Sequence, residues 1–139
     1  MAEPWYPAWG GSRRVDLRPA VAVNALTELE RRAWCILSSG PAAARAFYET
    51  VLDGKIVVLL ADRLPIQERD LALTALCEAK WDACRFGEMN AGRLSSAVGF
   101  VGYDFTATKD GVPYSARVSS VYVRRDEGWK LVFHQHARW

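Results

Sequence analysis

Histidine is nearly absent from this chain: His134 and His136 are the only two. Cysteine is scarce as well. Cys35, Cys77 and Cys84 are odd in number and lack CxxC spacing, so the expectation is reduced, buried thiols rather than a metal knuckle. No apolar run approaches the ~20 residues that span a bilayer, so no membrane partner is expected. The N-terminus has no basic region followed by an apolar stretch, so a signal peptide is not expected either, and the chain reads as cytoplasmic. The sequence contains no GxGxxG, Walker loop, HExxH or GxSxG. Those absences argue against Rossmann hydride-transfer enzymes, P-loop enzymes, zincins and α/β-hydrolases, and no cofactor or metal is indicated. Charge of one sign is also missing: 18 Lys and Arg face 16 Asp and Glu, for a net +2. The basic residues are scattered, whereas nucleic-acid binding leaves a concentrated footprint. No nucleic-acid partner is expected.

What remains is an ordinary globular composition, 50% hydrophobic over 139 residues, enough for one domain that buries roughly two-thirds of its unfolded surface. Residues 1–22 hold prolines, adjacent glycines and the aromatic trio Trp5, Tyr6 and Trp9 without periodicity. They read as an N-terminal arm docked on the body, which occupies 23–139. From Asn24 to Leu37 the apolar positions Leu26, Leu29, Ala33, Ile36 and Leu37 recur at helical spacing, and Thr27 with Glu30 fits a capping box at the start. Pro41 suits the first turn of a second helix over about 41–52. Ile56 to Leu60 is a short apolar run expected as a strand buried on both faces. A third helix is expected over about 66–79, with Glu68 and Asp70 in its first turn.

After Trp81 the period changes from 3.6 to 2. Four strands are expected over about 81–89, 95–108, 112–125 and 129–137, with Asn90-Ala91-Gly92, Lys109-Asp110-Gly111 and Arg125 to Gly128 as the turns between them. Helices first and an antiparallel meander after make an α+β fold.

This order, with Ala33-Trp34 in the first helix, Phe47-Tyr48 in the second, Lys80-Trp81-Asp82 opening the sheet, Ser119 through Arg125 and the closing Trp129 through His136, resembles the SnoaL-like proteins of the nuclear transport factor 2-like superfamily. The likeness covers about residues 23–137. It implies a cone-shaped half-barrel, three N-terminal helices packed in a curved, mainly antiparallel sheet around an apolar pocket, commonly as a homodimer. Members include polyketide cyclases, a steroid isomerase, an epoxide hydrolase, dehydratases and non-catalytic association domains, so the fold licenses a pocket and not a reaction. The chain departs from the best-known sites: the Asp-Arg-Asp set of the epoxide hydrolases is absent, and the Tyr and Asp pair of the steroid isomerase has no clear match.

On a strand His134 and His136 project to one face. Imidazole titrates near neutral pH, which makes His134 a candidate for proton transfer; the alternative is a structural hydrogen bond or a subunit interface. Strict alternation sets Leu131, Phe133 and Gln135 towards the cone and the histidines outward, but a strongly bent sheet can bury both faces, so His134 and Gln135 both stay candidates. Val101, Tyr103 and Phe105 are assigned inward, where Tyr103 could hydrogen-bond a substrate oxygen or serve as plain core. Asp104 falls on the outer face. Trp34, Tyr48, Trp81 and Tyr122, each ordinary core taken alone, form together a pocket list for a small hydrophobic ligand. Two classes of function follow. One is a cofactor-free acid/base enzyme, of isomerase, cyclase or dehydratase type, acting on a small hydrophobic or polyketide-like metabolite. The other is a non-catalytic ligand-binding or dimerisation module.

Overall fold

The computed structural model describes the chain from Leu17 to Trp139, with side chains from Asn24 onward. The expected docking of Trp5, Tyr6 and Trp9 lies outside the described residues. Helix α1 runs Leu17–Leu37 and α2 Pro41–Val51; strand β1, Leu52–Leu59, follows directly, and then α3, Arg69–Cys77. Five strands complete the described chain: β2 Trp81–Phe86, β3 Asn90–Ser95, β4 Val98–Lys109, β5 Val112–Arg125 and β6 Gly128–Arg138. The sheet order is β1-β6-β5-β4-β2, with β3 beside the other end of β4. β1 pairs with β6 in parallel and every other pair is antiparallel. The result is an α+β arrangement in which three described helices pack on a curved, mainly antiparallel sheet that does not close into a barrel.

Four expectations change. Helix α1 starts at Leu17, inside the segment read as an arm, because Pro19 falls in its first turn, where the missing N–H is not needed. Thr27 and Glu30 are therefore mid-helix and form no capping box. The Thr27 hydroxyl donates to the Asn24 carbonyl at 3.0 Å, and Glu30 joins Leu26, Ala33, Trp34 and Leu37 on the buried stripe. The run after Asn90 is a strand, not a turn: β3 pairs along β4 from Asn90↔Gly102 to Ser95↔Val98. Strand β1 is buried on one face only, through Ile56 and Val58, while Val57 and Leu59 are half-exposed.

The β4–β5 turn forms where the sequence calls for it. Asp110 and Gly111 both take positive φ, 51° and 81°, the twist a two-residue hairpin prefers. Along β4 and β5 the alternation is clean, so Val101, Tyr103, Phe105, Val118, Ser120 and Tyr122 face the helices. Gly99 shares that face. A Cβ there would lie well inside contact distance of Leu26 Cδ1 and 3.2 Å from the Gly92 carbonyl oxygen, so only glycine lets α1 approach the sheet this closely.

Strand β6 breaks the alternation. Tyr122 pairs with Leu131 but Val121 pairs with Phe133, leaving Val132 as an extra residue. This β-bulge shifts the phase of the strand: Leu131 is inward before it, and His134 and His136 are inward after it. Gln135 is turned to the opposite, half-buried face with Phe133 and Val121. The literal alternation that directed Gln135 inward and the histidines outward is corrected by that one inserted residue.

Candidate functional site

Between the helices and the sheet lie two polar networks within an aromatic core. The first centres on Glu30, which is 2% exposed. The Tyr103 hydroxyl donates to its Oε1 at 2.6 Å and accepts the Trp34 Nε1–H at 2.6 Å. The Tyr122 hydroxyl donates to Oε2. Both oxygens thus accept, the pattern that suits a carboxylate. Burial, and then the Glu30 charge, push the Tyr103 and Tyr122 hydroxyls well above the ordinary phenol range, so both remain proton donors.

The second network runs along the sheet. His134 Nδ1 meets the Ser120 hydroxyl at 2.8 Å, His134 Nε2 meets His136 Nε2 at 3.0 Å, and His136 Nδ1 meets the Tyr114 hydroxyl at 2.7 Å. Two imidazoles sharing one N–H across the Nε2 pair cannot both be protonated, since one Nε2 has to accept. Burial lowers His134 below the ordinary 6.5, opposed by the Glu30 charge. Burial lowers His136 further, helped by His134 and Lys109. The Tyr114 hydroxyl is pushed up to about 12, mainly by burial and against the nearby Arg138 charge.

The space between the networks is small. Trp34 stacks on Phe105 with centroids 3.9 Å apart and meets Trp81 edge-on at 4.9 Å. These rings fill the volume where the family resemblance implied an open pocket. A cavity of about 20 Å³ is left, walled by Trp34, Tyr48, Trp81, His134, His136 and Lys109, with Ala75 and Leu76 of α3, Ala79 just after it and Leu60 just after β1 closing it. That is room for about one water. Larger hollows lie at the surface, such as the groove of about 490 Å³ beside Phe100, Tyr103, Asp104 and Arg117, but neither histidine lines that groove.

On the cavity wall the Tyr48 hydroxyl is unused. Tyr48, 3% exposed, makes no hydrogen bond through its hydroxyl to any described residue, and that oxygen keeps accessible surface. Burial, then the Glu30 and Cys77 charges, push its titration well up, so it is a neutral donor without an acceptor. Of the residues singled out from sequence, Trp34, Tyr48, Trp81 and His134 meet at the cavity. Tyr103 and Tyr122 stand behind it on Glu30. Gln135 is on the other face. Asp104 is exposed and paired with Arg117 at 3.1 Å, while Asp53 is buried and paired with Arg125 at 2.8 Å.

Sequence reasoning missed Glu30. The signal was present: Glu30 is four residues after Leu26 and four before Trp34, a charge on the apolar stripe of α1. His136 also carries more of the network than its position near the end of the last strand suggested. Among the described residues no group of three or more His, Cys, Asp or Glu is arranged to hold a metal ion, and no described helix is long and apolar enough to cross a membrane.

No family model matches the sequence, and no curated protein matches it. Solved structures do match the fold. A nuclear transport factor 2-like (NTF2-like) protein from Cytophaga hutchinsonii superposes with a TM-score of 0.71 at 10% identity, covering 84% of this chain and 97% of its own. The chain has the NTF2-like fold. A protein from Streptomyces avermitilis described as a candidate dehydratase of the NTF2-like family gives 0.70 at 11% identity, covering 86% and 97%. The association domain of Caenorhabditis elegans CaMKII gives 0.69 at 9% identity, covering 88% and 99%. The NTF2-like fold thus serves proteins described as a candidate enzyme and as an association domain, and this chain's chemistry has to be read from its own site.

Proposed function

We propose that this chain is a SnoaL-like, cofactor-free acid/base enzyme of the isomerase, cyclase or dehydratase type, acting on a small, largely apolar oxygenated metabolite. The observation that carries the reading is the unpartnered Tyr48 hydroxyl on the same cavity wall as the neutral His134–His136 pair. That hydroxyl has no described acceptor and keeps accessible surface at the cavity, so its donor is open to a substrate oxygen. Tyr48 then polarises that oxygen, and the imidazole pair takes the proton from the adjacent carbon once the Nε2 link opens. Burial keeps both rings unprotonated and ready to accept. Glu30 offsets part of that burial for His134, favouring the imidazolium that forms. In this reading Tyr103 and Tyr122 position Glu30 rather than touch the substrate, and Trp34 and Trp81 supply the apolar walls. A substrate larger than water has to displace Leu60, Leu76 of α3 and Ala79 just after it. The test is deuterium uptake: acetone, acetylacetone and acetoacetate incubated with the protein in D2O and followed by mass. Exchange above the buffer rate, lost in His134→Gln and lowered at least tenfold in Tyr48→Phe, supports the reading. No exchange above buffer with any of them overturns it.

A second feature supports self-association as a homodimer through the outer sheet face. Val57, Phe133 and Val121 form a cross-strand row on the side away from the helices, each only half-buried among the described residues. Apolar sheet faces of this kind are normally covered. Sedimentation should give twice the 15.5 kDa chain mass, and a monomer at micromolar concentration counts against it.

A further inference from the structure

Among the described residues, Lys109 is the one charged residue on the cavity wall. Some described cations stand on carboxylates, as Arg125 does on Asp53, Arg117 on Asp104 and Arg63 on Glu78, and others, such as Lys130 on the Thr50 carbonyl, on backbone oxygens. Lys109 has no such partner. Its ammonium lies 5.6 Å from the Trp81 ring centroid and 5.5 Å from that of Tyr114, and it makes no ion pair or hydrogen bond. Arg138 adds a second positive charge over Tyr114, 4.4 Å from its ring centroid, while Asp62 nearby, exposed, pairs with neither. Among the described residues the rim is therefore net positive, and the wall inside it offers the free Tyr48 hydroxyl as a donor.

We infer that the site takes a small monocarboxylate that also bears a carbonyl or hydroxyl oxygen, its carboxylate at the rim on Lys109 and its second oxygen inside on Tyr48. The assignment of roles rests on the acid/base reading above, but the binding it describes does not. A cation held over two rings is partly desolvated, and in that setting an anion gains more than at an open surface. Binding would also prepare the base. The Lys109 charge opposes protonation of His136, and a carboxylate seated on Lys109 cancels that opposition. The imidazole pair thereby becomes more basic when an anionic substrate is present and stays inert towards neutral molecules.

The experiment compares acetoacetate with its methyl ester, the same skeleton without the charge, by calorimetry on the whole chain. Acetoacetate should bind at least tenfold more tightly, and its affinity should fall between 20 mM and 500 mM salt while that of the ester holds, as expected for a screened ion pair. Lys109→Met should erase the preference and Lys109→Arg should keep most of it. Equal affinity for acid and ester, no binding of either, or a preference that survives Lys109→Met overturns the inference. The salt series on the unaltered protein decides the matter if Lys109→Met does not fold. Acid-selective binding without deuterium exchange would leave this inference standing and sink the catalytic reading. Exchange with neutral ketones and no acid preference would do the reverse.

Discussion

Glu30→Gln tests whether the buried carboxylate is the keystone of the inner network. In the native core two phenol hydroxyls donate to the two carboxylate oxygens, and the Tyr103 hydroxyl already accepts from Trp34. An amide of the same size offers one acceptor and turns an NH2 donor towards the other hydroxyl. At least one buried hydroxyl then loses its acceptor, at about 1–3 kcal/mol. For a chain of this length each kcal/mol shifts the melting midpoint by about 3–6 °C. Calorimetry should therefore find Glu30→Gln melting about 3–18 °C lower, with the far-ultraviolet spectrum unchanged. The complementary variant removes the whole network as Glu30→Leu with Tyr103→Phe and Tyr122→Phe. It leaves only the Trp34 N–H without an acceptor, and apolar replacement of a complete buried polar set is often close to neutral. It should recover at least half of the loss. If Glu30→Gln melts at the wild-type temperature, or the triple variant is no better than the single one, the carboxylate is not held as described.

His134 and His136 are held neutral below their ordinary 6.5, so the unfolded chain takes up protons that the native chain refuses as pH falls below that value. Stability should be full above pH ~6.5 and decline below it by up to about 2.7 kcal/mol per pH unit for two sites; chemical denaturation between pH 7.5 and 5 that finds a flat profile contradicts the burial. Asp53 is lowered, chiefly by its Arg125 hydrogen bond, so its stabilisation is present above the carboxylate range and disappears only below about pH 4, a separate step that Asp53→Asn should remove. Gly99→Ala should cost about 1–3 kcal/mol by driving a Cβ into Leu26, and adding Leu26→Val should return part of it; additive losses in urea melts would count against that contact. Phe133→Glu, on the outer sheet row, should dissociate the proposed homodimer in sedimentation and leave the circular dichroism spectrum unchanged.

The sequence by itself determined the order of helices and strands, because periodicities of 3.6 and 2 follow from backbone geometry and are written locally. It also determined the Asp110-Gly111 hairpin, where the twist requires positive φ at two adjacent residues, and the inward assignment of Val101, Tyr103 and Phe105, where alternation is unbroken. Residues 90–95 escaped because Asn-Ala-Gly carries turn chemistry, yet its backbone pairs along the free half of β4. Which side of β6 carries the chemistry was decided only by tertiary structure. Leu131-Val132-Phe133 is apolar throughout, so no polar residue marks the point where the bulge at Val132 shifts the phase. Glu30 could have been a cap or a solvated charge until two hydroxyls from β4 and β5, 73 and 92 residues away, met its oxygens. Whether a hydroxyl is spent or free is likewise a property of packing. Tyr48 and Tyr103 are the same residue type on the same core, and only the fold supplies Glu30 to one and leaves the other facing a cavity.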